Sequence, residues 1–187
     1  MFTAIARRSA ARASKLRHFK RLARSESGAT AVEFALVAAP FLALLVGLLQ
    51  TGVVFLAGRV LDEVVAQSGR YIMTGQAQQS NMTAAQFANY VCINTFALFN
   101  CGKFMINVQN YNSFSAASTT APVLTFDAQG NVTNTWSYSP GNPGDIVVVQ
   151  VMYQWPIVLG PLGFNLANLS NGNRLLMSTA AFKNEPY

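Results

Sequence analysis

Two cysteines, one histidine and seven acids are the residues with which this 187-residue chain could do chemistry. The histidine, His18, lies in a basic N-terminal stretch, so no Ser-His-Asp or Cys-His arrangement is expected downstream. Beyond residue 60 the acids are sparse: Asp62, Glu63, Asp127, Asp145 and Glu185. Nothing in their spacing pairs two of them as a glycosidase would require. Cys92 and Cys101 stand nine positions apart, wider than a redox C-x-x-C, and two thiols without histidine make a poor metal site. No phosphate-cradling or dinucleotide glycine pattern is present. These residue types predict no enzyme, no metal and no cofactor. One carboxylate remains to be explained: Glu33, in "RSESGATAVEFAL" at 24–36, at the mouth of a segment otherwise suited to lipid.

That segment is the first of the elements that must position it. Between Glu33 and Arg59 lie 25 uncharged residues, interrupted only late by Gln50 and Thr51. About 20 apolar residues span a bilayer as a helix, so residues 34–58 are expected in the membrane. A secretory signal peptide has a shorter apolar core followed by a small-x-small cut site; here the run is longer and no such site follows. Pro40 is expected to kink the helix without breaking it. Eight of the thirteen basic residues precede Gly28, whereas from Gly28 onward five basic residues face six acidic ones. Lys and Arg stay on the cytoplasmic side of a membrane helix, so the N-terminus is expected inside and the C-terminal domain outside. The downstream part has no basic excess for nucleic acid, and none is expected as a partner.

A carboxylate near the bilayer is costly, and less so at an interface. An interfacial role for Glu33 is therefore one reading. The other starts from a cut after Gly28, which would create a charged amine on Ala29 at the start of the helix. A neighbouring subunit's amine could then pair with Glu33, offsetting the desolvation of both charges and fixing the axial register. At these residues the sequence resembles the bacterial type IV prepilins. More narrowly, "GATAVEFALVAAPFL" is similar to the TadE-like pseudopilins of the tight-adherence (Flp) pilus system. "QSGRYIMTG", "PGDIVVVQVMYQWP" and "LLMSTAAFKNEPY" extend the likeness toward Tyr187. The resemblance implies prepilin cleavage between Gly28 and Ala29, charge pairing at Glu33, and an aromatic residue after the glutamate, here Phe34. It also implies three kinds of partner: a prepilin peptidase, other pilins and pseudopilins, and an inner-membrane assembly platform with its cytoplasmic ATPase. A signal-anchored exported binding domain unrelated to pili is the alternative.

Past the membrane the helix continues. Val60, Leu61, Val64, Val65, Ser68, Tyr71 and Ile72 recur on one face, with Arg59, Asp62, Glu63, Gln67 and Arg70 opposite. Thr74-Gly75 supplies a C-cap. "TAAQ" at 83–86 has capping-box spacing and opens a short helix with Phe87, Val91 and Tyr90 inward. Strands are expected in "KFMINVQNY", "DIVVVQVMYQW" and "RLLMSTAAFK", with two weaker ones flanking "DAQGN" as a hairpin. In the second strand Val147, Val149, Val151, Tyr153 and Trp155 share one face, and the other turns polar at Gln150 and Gln154. Leu159 to Leu169 reads as a loop or short helix. If the domain is exported, Cys92 and Cys101 can form a disulfide; free core thiols are the other reading. The expected fold is α+β, a long N-terminal helix on a small antiparallel sheet. It comprises a cleaved leader at 1–28, a membrane and stalk helix at 29–75, and an exported head at 76–187. The expected location is the bacterial inner membrane, crossed once.

Overall fold

The computed structural model describes residues 26–95, 97–158 and 165–187. Most of the basic leader, with His18, and positions 159–164 of the apolar loop lie outside the described residues. The chain divides into two compact units, residues 1–47 and 48–187.

Helix α1 (Glu26–Met73) runs through both units and passes Pro40 unbroken. In the first unit its large apolar side chains, among them Phe34, Leu36, Val37, Phe41 and Leu44, are exposed. In the second unit Leu61, Val64, Val65, Ser68 and Ile72 are fully buried, while Arg59, Asp62, Glu63, Gln67 and Arg70 face solvent. The three-to-four spacing read in the sequence is therefore the stripe that meets the core. Its burial begins earlier than the first charge, at Val54 and Ala57.

The stripe packs on a three-stranded antiparallel sheet of order β1-β2-β3. The strands are β1 (Phe104–Tyr111), β2 (Ile146–Trp155) and β3 (Arg174–Lys183). Register places Val108 opposite Val149 and Val149 opposite Ala180, so one apolar face forms across all three strands. Val147, Val149, Val151 and Tyr153 belong to the core on this face, and Trp155 packs against it. At Gly69 the helix comes close to β3: a Cβ there would lie 3.0 Å from Cε1 of Phe182 and 3.2 Å from Cβ of Ala180. The architecture is α+β, as the pattern of elements predicts.

The second face of β2, read as turning polar at Gln150 and Gln154, is covered at Gln150. Gln150 is not a solvated residue; it is buried, as are Ile146, Val148 and Met152 beside it. Its Nε2 donates to the carbonyl of Thr120 at 3.0 Å, and its Oε1 accepts from Asn107 at 3.3 Å. The excursion between β1 and β2 thus crosses this face, and the amide is buried because both of its ends find partners. Alternation alone does not reveal such a cover. The same excursion protects the free edge of β1, where Val108 exchanges backbone hydrogen bonds with Ser137 and Ser139. Around "DAQGN" the chain turns back with a single bridge, Phe126 to Val132, in place of the two expected strands.

Helix α2 (Gln76–Gln79) and helix α3 (Ala84–Ile93) follow α1. Thr83 caps α3 through a reciprocal capping box with Gln86. Phe87 and Val91 are buried, and Tyr90 stacks on Tyr71 at 4.8 Å. Between 165 and 169 the apolar loop has no helix, and Leu166 packs against the core.

Candidate functional site

Gly28, Ala29 and Glu33 lie near the start of α1, exposed. In helical geometry Ala29 and Glu33 are one turn apart on the same side, about 6 Å along the axis. Phe34, next to the carboxylate, is 74% exposed. Among the described residues nothing in the chain forms an ion pair with Glu33; the one ion pair is Arg59–Asp62, at 3.8 Å on the solvent side of the helix. The carboxylate and its apolar surroundings are thus presented outward together. The segment of α1 that follows is long and apolar enough to cross a membrane. A helix apolar on every side is stable where its surroundings are apolar too.

Cys92 and Cys101 are joined as a disulfide, with Cα atoms 5.5 Å apart. Cys92 closes the last turn of α3, and Cys101 opens a short 3-10 turn leading into β1. The loop between them carries Phe99 into the core, edge-on to Tyr153 at 4.9 Å and to Trp155 at 5.6 Å. Asn100 secures the same corner, donating its backbone N–H to the Tyr153 hydroxyl at 3.3 Å and accepting from the Gly102 N–H at 3.1 Å. The role of this bond is to hold a helix end against a strand start.

The acids are placed apart. Asp127 closes the hairpin tip, accepting from the backbone of Gln129 and Asn131 and from the Asn131 side chain. These hydrogen bonds, the Asn131 amide first, hold its carboxyl below the usual range. Asp145 accepts from the Asn142 N–H at 2.8 Å and ends the turn before β2. Among the described residues no group of three or more His, Cys, Asp or Glu could hold a metal ion. A cleft of about 410 Å³ opens between the sheet end and the hairpin, lined by Lys103, Asn131, Trp136, Gln154 and Asn173 among others. Among the described residues that line it, Lys103 alone is charged.

Two features of the structure were not read from the sequence. The Thr74-Gly75 cap ends α1 as expected, with Gly75 at φ +79°; unread was its position directly beneath the Tyr187 ring, which a Cβ would overlap. Beside it the Glu185 N–H donates to the Met73 carbonyl at 2.9 Å, so the C-terminal tail satisfies a carbonyl at the helix end. The second is a hydrogen bond of 2.9 Å from Gln50 Nε2 to the Val158 carbonyl. Its partners are 108 positions apart, and neither belongs to a recognisable pattern.

A family model described as TadE-like protein matches residues 28–70. Comparison with curated proteins and with solved structures gives no match. The matched segment begins at Gly28, contains Ala29 and Glu33, and runs nearly to the end of α1. Over that segment the chain is similar to TadE-like proteins.

Proposed function

We propose that this protein is a membrane-inserted pseudopilin, or minor pilin, that takes part in assembling a tight-adherence (Flp) type IVb pilus. The family match over 28–70 is the observation that carries this reading. Residues 34–58 cross the bacterial inner membrane once, with the basic N-terminus in the cytoplasm and the head, 76–187, on the far side. A prepilin peptidase cuts between Gly28 and Ala29. The exposed Glu33 then receives the new amine of a neighbouring pilin, and the apolar surface around it passes from lipid to the packed helices of an assembly. The assembly platform in the inner membrane is the machine on which this exchange occurs. The work is assembly, without a reaction of its own.

Processing is the test. Intact mass and N-terminal sequencing of the membrane-extracted protein should find Ala29 as the first residue. Replacing Gly28 with a bulky residue should leave the 28-residue leader attached. A chain that keeps its leader in a cell with active prepilin peptidase would favour the signal-anchored binding domain instead.

A further inference from the structure

The Gln50–Val158 bond joins two parts of the second unit at an unexpected level. Gln50 lies within the uncharged run, nine residues before Arg59. Nine helical residues span about 13.5 Å, so the chain leaving β2 reaches well below the first charge of the helix. The segment there is Pro156, Ile157 and Val158, and no charged residue occurs between Asp145 and Arg174. Val158 is 75% exposed. Phe55 and Leu56 of the helix, lying between Gln50 and Arg59, are exposed too. A cleft that runs from this level to the first charges is lined by Thr51, Phe55, Arg59, Asp62, Leu166 and Arg174 among others. One Nη1 of Arg174 donates to the Leu166 carbonyl at 3.0 Å. Trp155, half-buried, precedes the segment at the end of β2.

A tryptophan beside an apolar rim suits the interface on either side of a bilayer. Long basic side chains reach the headgroup level while their stems cover apolar surface. A glutamine on a membrane helix is costly unless its amide is bonded within the protein, and Gln50 donates to a backbone carbonyl of the same unit. We propose that this end of the unit is seated in the head-side leaflet of the membrane. Ile157 and Val158 lie at the acyl boundary, and Arg59 and Arg174 lie at the level of the lipid phosphates. The segment Pro156, Ile157 and Val158 is then a second membrane contact beside the helix. This rests on the membrane-inserted reading above and adds a lipid-facing surface that the helix alone does not provide. The occupant is lipid because the rim adjoins the exposed Leu48, Leu49 and Val53 of the same unit, and these belong to a helix with the length and composition of a membrane span.

The experiment uses the full-length chain in lipid nanodiscs with an environment-sensitive fluorophore on Val158→Cys. The same fluorophore on Val123→Cys, an exposed position on the excursion between β1 and β2, is the control. Cys92 and Cys101 are joined and do not take the label. The position-158 probe should be quenched by spin label attached high on the acyl chains, and its iodide quenching constant should be severalfold smaller than that of the control. Iodide quenching equal at the two positions would overturn the proposal. Shielding from iodide without lipid-borne quenching would overturn it as well, because protein would then be the cover. Carbonate extraction of the source membranes separates the two levels of failure. A chain released by carbonate sinks membrane insertion and this contact together, whereas a retained chain with an iodide-accessible position 158 sinks the contact alone.

Discussion

Along α1, Phe34, Leu36, Val37, Phe41 and Leu44 are exposed, whereas Leu61, Val64, Val65, Ser68 and Ile72 are buried along one stripe. Both stretches are helical, and both are rich in Leu and Val. They differ in what surrounds them. The later stretch alternates apolar and charged faces because one side meets the sheet and the other meets water. The earlier stretch has no such alternation, which suits surroundings that are apolar on all sides. One helix thus carries two kinds of information, composition in its first half and periodicity in its second. The carboxylate of Glu33 stands where composition alone would exclude it.

The largest expected effect breaks the comparison at Glu33. Replacing it with glutamine keeps volume and polarity and removes the charge. If the carboxylate pairs with a neighbouring amine, the loss leaves that amine uncompensated, at a cost of about 3–5 kcal/mol. A cleaved, membrane-resident protein in a cell without pili is expected, checked by immunoblotting of membrane fractions and by electron microscopy. Normal piliation in a strain with only the Glu33→Gln copy would remove the charge-pairing role.

Leu61→Ala and Leu44→Ala sharpen the contrast between the two halves. Leu61 is completely buried against the sheet, so its truncation should cost about 2–5 kcal/mol in denaturant unfolding of the detergent-solubilised protein. Leu44 makes no part of that core, and its truncation should stay within about 0.5 kcal/mol. Equal losses would mean that the earlier half also depends on intramolecular packing.

The disulfide is confined to the later unit. Closing a loop of this length stabilises by somewhat under about 3 kcal/mol in the chain-entropy model. The Cys92→Ser, Cys101→Ser double variant should lose that much in unfolding while inserting into membranes as before. Non-reduced protein should resist alkylation, and free labelling of both thiols in trapped samples would show that the bond does not form in the cell.

At the far end of the helix, Gly75→Ala should destabilise by about 1–2 kcal/mol from the left-handed backbone alone. Displacement of the Tyr187 ring adds to this, so Tyr187→Ala should relieve part of the loss. Additive effects in the double variant would mean that the ring is not held there.

The smallest effect is a pH dependence. Burial, with Tyr71 nearby, pushes the Tyr138 hydroxyl up to about 12 from an ordinary value of 10.0. Between those values the folded state binds more protons than the unfolded one, so stability falls as pH rises from 10 to 12. Tyr138→Phe should flatten that decline in a denaturation series. It should cost little near neutrality, because among the described residues the buried hydroxyl has no hydrogen-bond partner.

Much of this fold was legible because it rests on local rules. The apolar run, the stripe from Val60 to Ile72, the capping box at Thr83 and the three strands each follow from short-range spacing. Glu33 was legible as an exception to composition. Gln150 was legible as the polar residue on the second face of its strand, but its burial was not, because only the Thr120 carbonyl, thirty positions away, explains it. The hairpin at Asp127 was read as strands because its turn chemistry is strong, although one bridge is all that forms.

By itself the sequence determined the helix, its apolar and amphipathic halves, the charge asymmetry and the Gly28–Glu33 spacing, because each depends on neighbours within a few turns. Only the tertiary structure decided which segments meet: the excursion over Gln150, Gly75 beneath Tyr187 of the tail, and Val158 against Gln50. Those contacts join residues with no shared period, and a backbone carbonyl, which every residue carries, leaves no trace in the sequence when it accepts a distant amide.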